Sequence, residues 1–191
     1  MSSLTGGNDE QARSPGVPPL CRDEKVKQAG STLAATWRTS NEVTLALLAA
    51  IPREALADRY SERTRTVAAQ FAHIHYLRVR NLKQRGPAFL GELHDFPRGA
   101  QPGKGELQSA LEASGSAIAE LLKHCEATGS VKSWGGNPPA TYLSYLVAHE
   151  AHHRALAIVS LRLSGHKLPQ SALIGLWSSW GRKRGGASPA P

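Results

Sequence analysis

The chain has 191 residues, of which 40% are hydrophobic and 6% aromatic, and its 23 Lys and Arg outnumber its 15 Asp and Glu to give a net charge of +8. This length fits one domain with tails, and an interior supplied mainly by Ala and Leu favours helices over strands. The basic residues are scattered apart from "GRKRGG" at residues 181–186, and no zinc-finger spacing or aromatic-interleaved basic groove is present. We therefore expect no nucleic-acid partner.

The two cysteines and the N-terminal stretch bear on the compartment. Cys21 and Cys125 form no CxxC motif and no disulfide framework. The opening "MSSLTGGNDEQARS" has neither the basic start nor the apolar run of a signal peptide, and no stretch approaches the roughly 18 apolar residues of a membrane span. These features predict a soluble, cytoplasmic protein with no membrane partner.

Composition divides the chain into three parts. Residues 1–30 are rich in Gly, Ser, Pro and charge, and they are predicted to form a disordered N-terminal tail. The basic residues 181–191 are predicted to form a flexible C-terminal tail. Helical periodicity is confined to residues 31–180, which we assign to one helical domain.

The first two predicted helices lie in the N-terminal half. The first covers residues 32–50 and ends before Pro52, because a proline disfavours helical geometry at the residue that precedes it. The second follows Ser61, a suitable N-cap, and continues to about Gln84, where "RGP" stops it.

Three more helices follow a long connection. One covers about residues 105–127, with Gly129 as its C-cap. Another opens at the prolines of "NPPATY" and ends near Leu163. A short last helix over residues 171–180 is predicted to pack three side chains against the rest, namely Leu173, Leu176 and Trp177.

The order and length of these helices predict the fold class. Four long helices bury their apolar faces most simply as an antiparallel four-helix bundle. The stretch 85–104 is too long for a tight turn and predicts a crossover connection or a lid. We expect an all-α protein, an antiparallel four-helix bundle with a long crossover loop and a short C-terminal helix.

The stretch "LVAHEAHHRALAIV" places a pair of histidines inside an apolar helix. His149 and His153 are four residues apart and therefore neighbours on one face, about 5–6 Å between Cβ atoms, where both can reach one metal ion. Unpartnered buried imidazoles cost free energy, which favours a metal over a pair of core histidines bonded to hydroxyls. His152 is predicted to be an outer-shell or surface residue. The pair belongs to a predicted inward stripe with Leu146, Leu156, Ser160 and Leu163.

The same stretch satisfies the H-E-x-x-H pattern of zinc proteases without completing it. Such proteases take a third ligand downstream, but no Asp or Glu follows Glu150, and His166 is the one later histidine. Glu150 is therefore interpreted as a helix-surface charge or an outer-shell hydrogen-bond acceptor.

The second helix offers two candidates for the third ligand. His73 and His75 are two residues apart, so their side chains point about 200° away from each other and cannot both bind one ion. Periodicity favours His75, which falls with Phe71 and Val79. The residues alone leave the choice open.

The phrases "FAHIHYLR", "LVAHEAHHRALAIV" and "IGLWSSW" resemble, in order and spacing, the DinB-like superfamily of metal-binding four-helix-bundle proteins. The resemblance covers roughly residues 32–180. It implies that the histidine of "AHI", His73, joins His149 and His153 as a metal ligand. The Gly-Gln that often follows the histidine pair in relatives is absent, since Ala-Leu follows Arg154 here.

Three neutral imidazoles leave a coordination position open on a divalent ion, and zinc or nickel suits such ligands. The resemblance implies a thiol-dependent S-transferase in which the metal activates a low-molecular-weight thiol. Tyr142, Tyr145 and Arg154 are candidate pocket neighbours, with helix packing and a solvated charge as the alternative interpretation.

Two other functions stay open. A metal-dependent hydrolase using metal-activated water needs a general base, and the candidates are Glu150, Glu92, His94 and Asp95. The other alternative is a non-catalytic, metal-stabilised binding protein of a stress response. Exposed faces of the bundle could also support a homodimer.

Overall fold

The structure, a computed structural model, describes residues 31–181 and is all-helical over that range. This confirms the all-α class. The predicted tail 1–30 and residues 182–191 lie outside the described residues, and the last helix ends at Gly181, one residue beyond the predicted domain end. The α-helices are α1 (Thr32–Ala50), α2 (Val67–Arg85), α3 (Lys104–Thr128), α4 (Pro139–Leu163) and α5 (Gln170–Gly181), with 3-10 helices at Arg53–Ala57 and Pro87–Phe89.

The start of α2 differs from the sequence prediction. Thr66, not Ser61, is the N-cap, and its Oγ1 accepts a hydrogen bond of 3.1 Å from the backbone N–H of Ala69. Ser61 belongs to a local turn instead, because its carbonyl accepts a 2.7 Å hydrogen bond from Thr64 Oγ1. The N-cap assignment of Ser61 was wrong.

The ends of α3 follow local chemistry. At its start the backbone N–H of Gly103 donates to Glu106 Oε2 at 2.7 Å. At its end Gly129 adopts the left-handed conformation, with φ of 67°, as the predicted C-cap. Pro138 is the N-cap of α4 and Pro139 is its first residue. Proline is tolerated there because the first N–H groups of a helix have no acceptor within the helix.

Packing joins the helices through two apolar clusters. Helix α1 contacts α3, α4 and α5, while α2 contacts α3 and α4. One cluster includes Leu47, Phe71 and Leu111, and the other is built around Trp37 and Tyr142. The second cluster also ties α1 to α3 by a hydrogen bond, because Trp37 Nε1 donates to the Gly115 carbonyl at 2.8 Å.

The inward stripe predicted along α4 is correct in its middle and wrong at its end. Leu146 and Ser160 are buried and Leu156 is half-buried, but the side chain of Leu163 is 68% exposed. Leu163 is the last residue of α4 and its side chain is exposed, whereas Leu161 in the same turn is buried in a core cluster. His152 is exposed, on the surface side of the helix.

The short helix α5 packs through two of its three predicted anchors. Leu173 and Leu176 are partly buried against the core cluster. Trp177 is 75% exposed, so its predicted burial was wrong. Its indole lies at the edge of a cavity of about 350 Å³ lined by residues of α1, α4 and α5. Across residues 31–181 no helix combines the length and the apolar character needed to cross a bilayer.

Candidate metal centre

Three histidine rings from two helices converge at one place. His73 comes from α2, and His149 and His153 come from α4, with their candidate ligand nitrogens all within 4.8 Å of one another. The Nε2 atoms of His149 and His153 are 3.2 Å apart, and the ring centroid of His73 is 4.6 Å from that of His153. Nitrogens bound to one tetrahedral ion at 2.0–2.1 Å lie about 3.3 Å apart, so small side-chain movements would bring all three onto one ion.

A buried glutamine orients one of these rings. Gln70 Oε1 lies 2.7 Å from His153 Nδ1, and an amide oxygen can only accept, so Nδ1 carries the proton. The lone pair of that imidazole is then on Nε2, the nitrogen that faces His149. Metal-binding histidines commonly have such an acceptor on their second nitrogen.

Burial keeps the three rings neutral. It lowers the pKa of His73 to about 4, with the charges of Arg65 and His149 adding to the effect. It lowers the pKa of His153 to about 3, with further contributions from the neighbouring histidines. The pKa of His149 is lowered as well, again mainly by burial. Neutral imidazole is the form that binds metal, so the cluster has the required protonation state at neutral pH.

His75, the ring favoured by periodicity, lies elsewhere. It is 2% exposed, and both of its nitrogens have partners. Its Nδ1 is 3.1 Å from Ser114 Oγ on α3, and its Nε2 is 3.0 Å from the backbone carbonyl of His94. The structure therefore brings His73, and not His75, together with the two histidines of α4.

Glu150 is an interior residue, so its interpretation as a helix-surface charge was wrong. The side chain is 1% exposed, and both carboxylate oxygens accept hydrogen bonds. Arg78 donates to them from Nε at 2.7 Å and from Nη2 at 2.9 Å, and Thr44 Oγ1 donates at 3.1 Å. A carboxylate held in this way is not available as the general base of a hydrolase or a protease.

Of the three candidate pocket neighbours, one lies beside the histidine cluster and two do not. The ring of Tyr145 is 6.0 Å from that of His149 and is partly exposed. Tyr142 is fully buried in an apolar cluster. Arg154 is also buried, and its Nη1 donates to Thr44 Oγ1 at 2.8 Å. The packing interpretation holds for Tyr142, whereas Arg154 is an interior charge rather than a solvated one.

A cavity of about 500 Å³ opens beside His73, the member of the cluster that lines it. Residues of α2 form one wall, and the connection between α2 and α3 forms the other. The long loop thus lines the cavity on one side, and its two predicted roles, a crossover connection or a lid, stay predictions. The lining residues are Arg65, Ala69, Ala72, His73, Tyr76, Asp95, Phe96, Pro97, Arg98, Gly99, Ala100 and Gln101.

The loop candidates for a general base differ in their surroundings. Asp95 lines the cavity, and its Oδ2 is 3.4 Å from Lys83 Nζ. Its Oδ1 is buried and has no hydrogen-bond partner within residues 31–181. The His94 ring is turned toward its own loop, with Nδ1 3.0 Å from the Glu92 carbonyl oxygen. Neither His94 nor Glu92 lines the cavity beside His73.

Sequence reasoning missed Gln70 and Arg78 as functional partners. Both lie on the buried face of α2, along with Phe71 and Ile74. Polar side chains at inward positions of a helix require partners, and that requirement is a signal available from the sequence. The partners themselves are 83 and 72 residues away along the chain and could not be read from local pattern.

Comparison with known proteins does not place the chain in a family. No family model matches it, and no significant match is found among curated proteins. The functional argument therefore depends on the histidine cluster and its cavity.

Proposed function

We propose that this protein is a DinB-like, metal-dependent S-transferase, which joins a low-molecular-weight thiol to an electrophile. The sulfur of the thiol loses its proton and forms a new bond to the electrophile, whose leaving group departs with that proton. Helices α1 to α4 would form the antiparallel four-helix bundle of that superfamily, with the loop between α2 and α3 as its crossover. The single observation that carries the proposal is the convergence of three imidazoles beside an open cavity.

The residues at the site fit a divalent ion. His73, His149 and His153 would hold it, and all three are neutral at physiological pH because burial lowers their pKa values. Three imidazole ligands suit zinc or nickel and leave at least one position for a substrate atom. Gln70 would keep His153 in the tautomer that presents Nε2.

The surroundings of the cluster favour thiol chemistry over hydrolysis. A bound divalent ion would lower the pKa of a coordinated thiol and of a coordinated water alike. Hydrolysis in addition gains from a general base beside the ion, and the candidate Glu150 is fully engaged by Arg78 and Thr44. The protein's own residues would bind and orient the substrate in the cavity and exclude competing water.

Asp95 supports a second candidate function, a metal-dependent hydrolase. It lines the same cavity as His73, and its Oδ1 has no partner within the described range. That oxygen could take a proton from water. We rank this function second because the same carboxylate is paired with Lys83.

Metal analysis of purified variants tests the site. We expect His73→Ala, His149→Ala and His153→Ala each to lose zinc or nickel, because each removes one of three ligands. His75→Ala should retain the metal, since its ring bonds to Ser114 and the loop. His152→Ala is the matched control, being an exposed histidine on the same helix as two ligands.

Activity assays on metal-loaded protein then separate the functions. Consumption of a thiol in the presence of an electrophile supports the transferase, and ester turnover without thiol supports the hydrolase. Loss of either activity in His73→Ala but not in His152→Ala ties it to the site. Full metal content in all three ligand variants would contradict the proposed metal site.

A further inference from the structure

We propose that the cavity beside His73 is a carboxylate-binding site, formed by Arg65 and Arg98, and that the thiol used by this protein is a small carboxylated one. This inference rests on the proposed function for the thiol, whereas the anion site stands on its own observations. The site would hold the carboxylate at one end of the molecule and leave the sulfur end near the histidine cluster.

Two arginines line this cavity from different segments of the chain. Arg65 lies just before the N-cap of α2, and Arg98 lies on the loop between α2 and α3. Neither guanidinium has a carboxylate within 4.0 Å among residues 31–181. The cavity also contains Asp95, but Lys83 lies 3.4 Å from that carboxylate and balances its charge. The lining therefore carries an excess of positive charge.

Arg65 and His73 line the same cavity, so a ligand that Arg65 holds there lies beside one of the three histidines of the cluster.

The start of α2 lies on the same side. Arg65 and Ala69 place the first turn of this helix on the cavity wall, where the positive end of the helix dipole favours an anion. The backbone N–H groups of Val67 and Ala69 are already bonded, to the Asp58 carbonyl and to Thr66 Oγ1. Gln101 Oε1 accepts from Thr66 Oγ1 at 3.5 Å, which leaves the amide N–H groups of Gln101 available to donate. The two arginines and this amide are together a donor set for carboxylate oxygens.

The size of the cavity limits the ligand to a small molecule. About 500 Å³ lies within the range of small-molecule pockets, which span roughly 300–1,000 Å³. Arginine binds a carboxylate with two parallel hydrogen bonds, so two arginines can hold one carboxylate strongly or two of them separately. The ligand class that fits both the arginines and the histidines is a short acid carrying a thiol.

Two matched probes test the site by calorimetry on metal-loaded protein. 3-Mercaptopropionate and 3-mercaptopropionamide have the same length and thiol but differ in charge. We expect the wild type to prefer the acid by about tenfold or more, the size of one charge-assisted hydrogen bond. Arg65→Gln with Arg98→Gln should remove most of that preference while metal content and amide affinity stay unchanged.

The control variant is Arg80→Gln, which removes an exposed arginine of α2 that does not line the cavity. It should keep the wild-type preference. Equal binding of the two probes to the wild type, or a preference that survives in the double arginine variant, would overturn the inference. Circular dichroism of each variant verifies that these exposed substitutions leave the fold intact.

A second pair of probes distinguishes failure of this inference from failure of the proposed function. Propionate and propionamide lack the thiol and are titrated into metal-free protein. A preference for propionate that depends on Arg65 and Arg98 supports the anion site even if the histidine variants reveal no metal site. Absence of that preference in protein that does bind metal through His73 overturns the anion site alone.

Discussion

The guanidinium of Arg78 and the carboxylate of Glu150 form a bidentate ion pair in the interior of the protein, with donor–acceptor distances of 2.7 and 2.9 Å. The remaining nitrogen of Arg78 donates to the Leu111 carbonyl at 2.7 Å, and the guanidinium lies 5.0 Å from the Trp37 ring centroid. The pair links α2 to α4, the two helices that carry the histidines. Since Glu150 adjoins His149, the pair helps to set the position of α4 relative to His73.

We predict that Glu150→Ala strongly destabilises the protein. Removing one partner leaves the Arg78 charge buried without a counter-ion, which costs about 3–5 kcal/mol in the free energy of unfolding. Urea unfolding followed by circular dichroism measures the loss. Glu120→Ala is the control, because Glu120 forms an ion pair with Arg38 in which both side chains are 49% exposed. Breaking that pair should cost no more than about 1 kcal/mol.

Replacing both members of the buried pair separates the cost of an unpaired charge from the cost of lost packing. Arg78→Met combined with Glu150→Leu removes both charges and fills a similar volume, so it should cost less than Glu150→Ala alone. A Glu150→Ala variant as stable as Glu120→Ala would mean that the pair is not buried in solution.

We predict that Gln70→Ala weakens metal binding without removing a ligand. The substitution deletes the acceptor for His153 Nδ1, so the ring loses its preferred tautomer and orientation. Loss of such an outer partner typically lowers metal affinity by about 10- to 100-fold. Competition with a chromophoric chelator measures the affinity, and Gln84→Ala, an exposed position on the same helix, is the control. Unchanged affinity would show that the bond has no role in metal binding.

The lowered pKa values of two histidines predict how the stability of the metal-free protein depends on pH. The ordinary value of 6.5 falls to about 4 for His73 and to about 3 for His153 in the folded state. Below pH 6.5 the unfolded chain takes up protons that the folded protein does not. The free energy of unfolding should therefore fall as the pH drops from about 6.5 toward 4, with no contribution from these groups above that range.

Urea unfolding with a chelator present, at pH 7.5, 6 and 5, measures this slope. Substitution of either ring by Gln removes one titrating group, so His73→Gln and His153→Gln should each show a shallower decrease than the wild type. A slope that is identical in wild type and in both variants would contradict the shifted pKa values.

A feature of the fold or of the histidine site could be predicted from the sequence when the residues that determine it are close together along the chain. The end of α1 and the C-cap at Gly129 follow from proline and glycine signals within a few residues. Ser61 and Thr66 are both good N-caps, and Ser61 belongs to a local turn with Thr64, so the helix begins only after Thr66. Local spacing identified the pair His149 and His153 for the same reason, since helix geometry alone makes them neighbours.

The choice between His73 and His75 shows where local pattern fails. Periodicity correctly indicates that His75 is buried, but burial does not decide which element lies opposite a ring. His75 faces Ser114 and the loop carbonyl of His94, whereas His73 faces α4. The interpretation of Glu150 as a helix-surface charge was wrong for a similar reason, because its partner Arg78 lies 72 residues earlier.

The hydrogen bonds of His75 predict a role in holding the loop over the cavity. Its Nε2–H donates to the His94 carbonyl at 3.0 Å, and its ring is 5.4 Å from that of Phe96, which lines the cavity. His75→Phe keeps an aromatic ring of similar size and removes the hydrogen bonds to His94 and Ser114. We expect faster amide hydrogen exchange across residues 92–101, because the loop loses its attachment to α2.

His94→Ala is the matched control for this loop, since it removes the partly exposed ring and keeps the backbone carbonyl that accepts from His75. Its exchange rates at residues 95–101 should stay close to those of the wild type, because His94→Ala removes only the bond of its own ring to the Glu92 carbonyl. Metal content should be unchanged in both variants, because neither ring belongs to the cluster at His73. If His75→Phe lost metal as completely as His73→Ala, His75 would be a ligand and the loop attachment would not be its role.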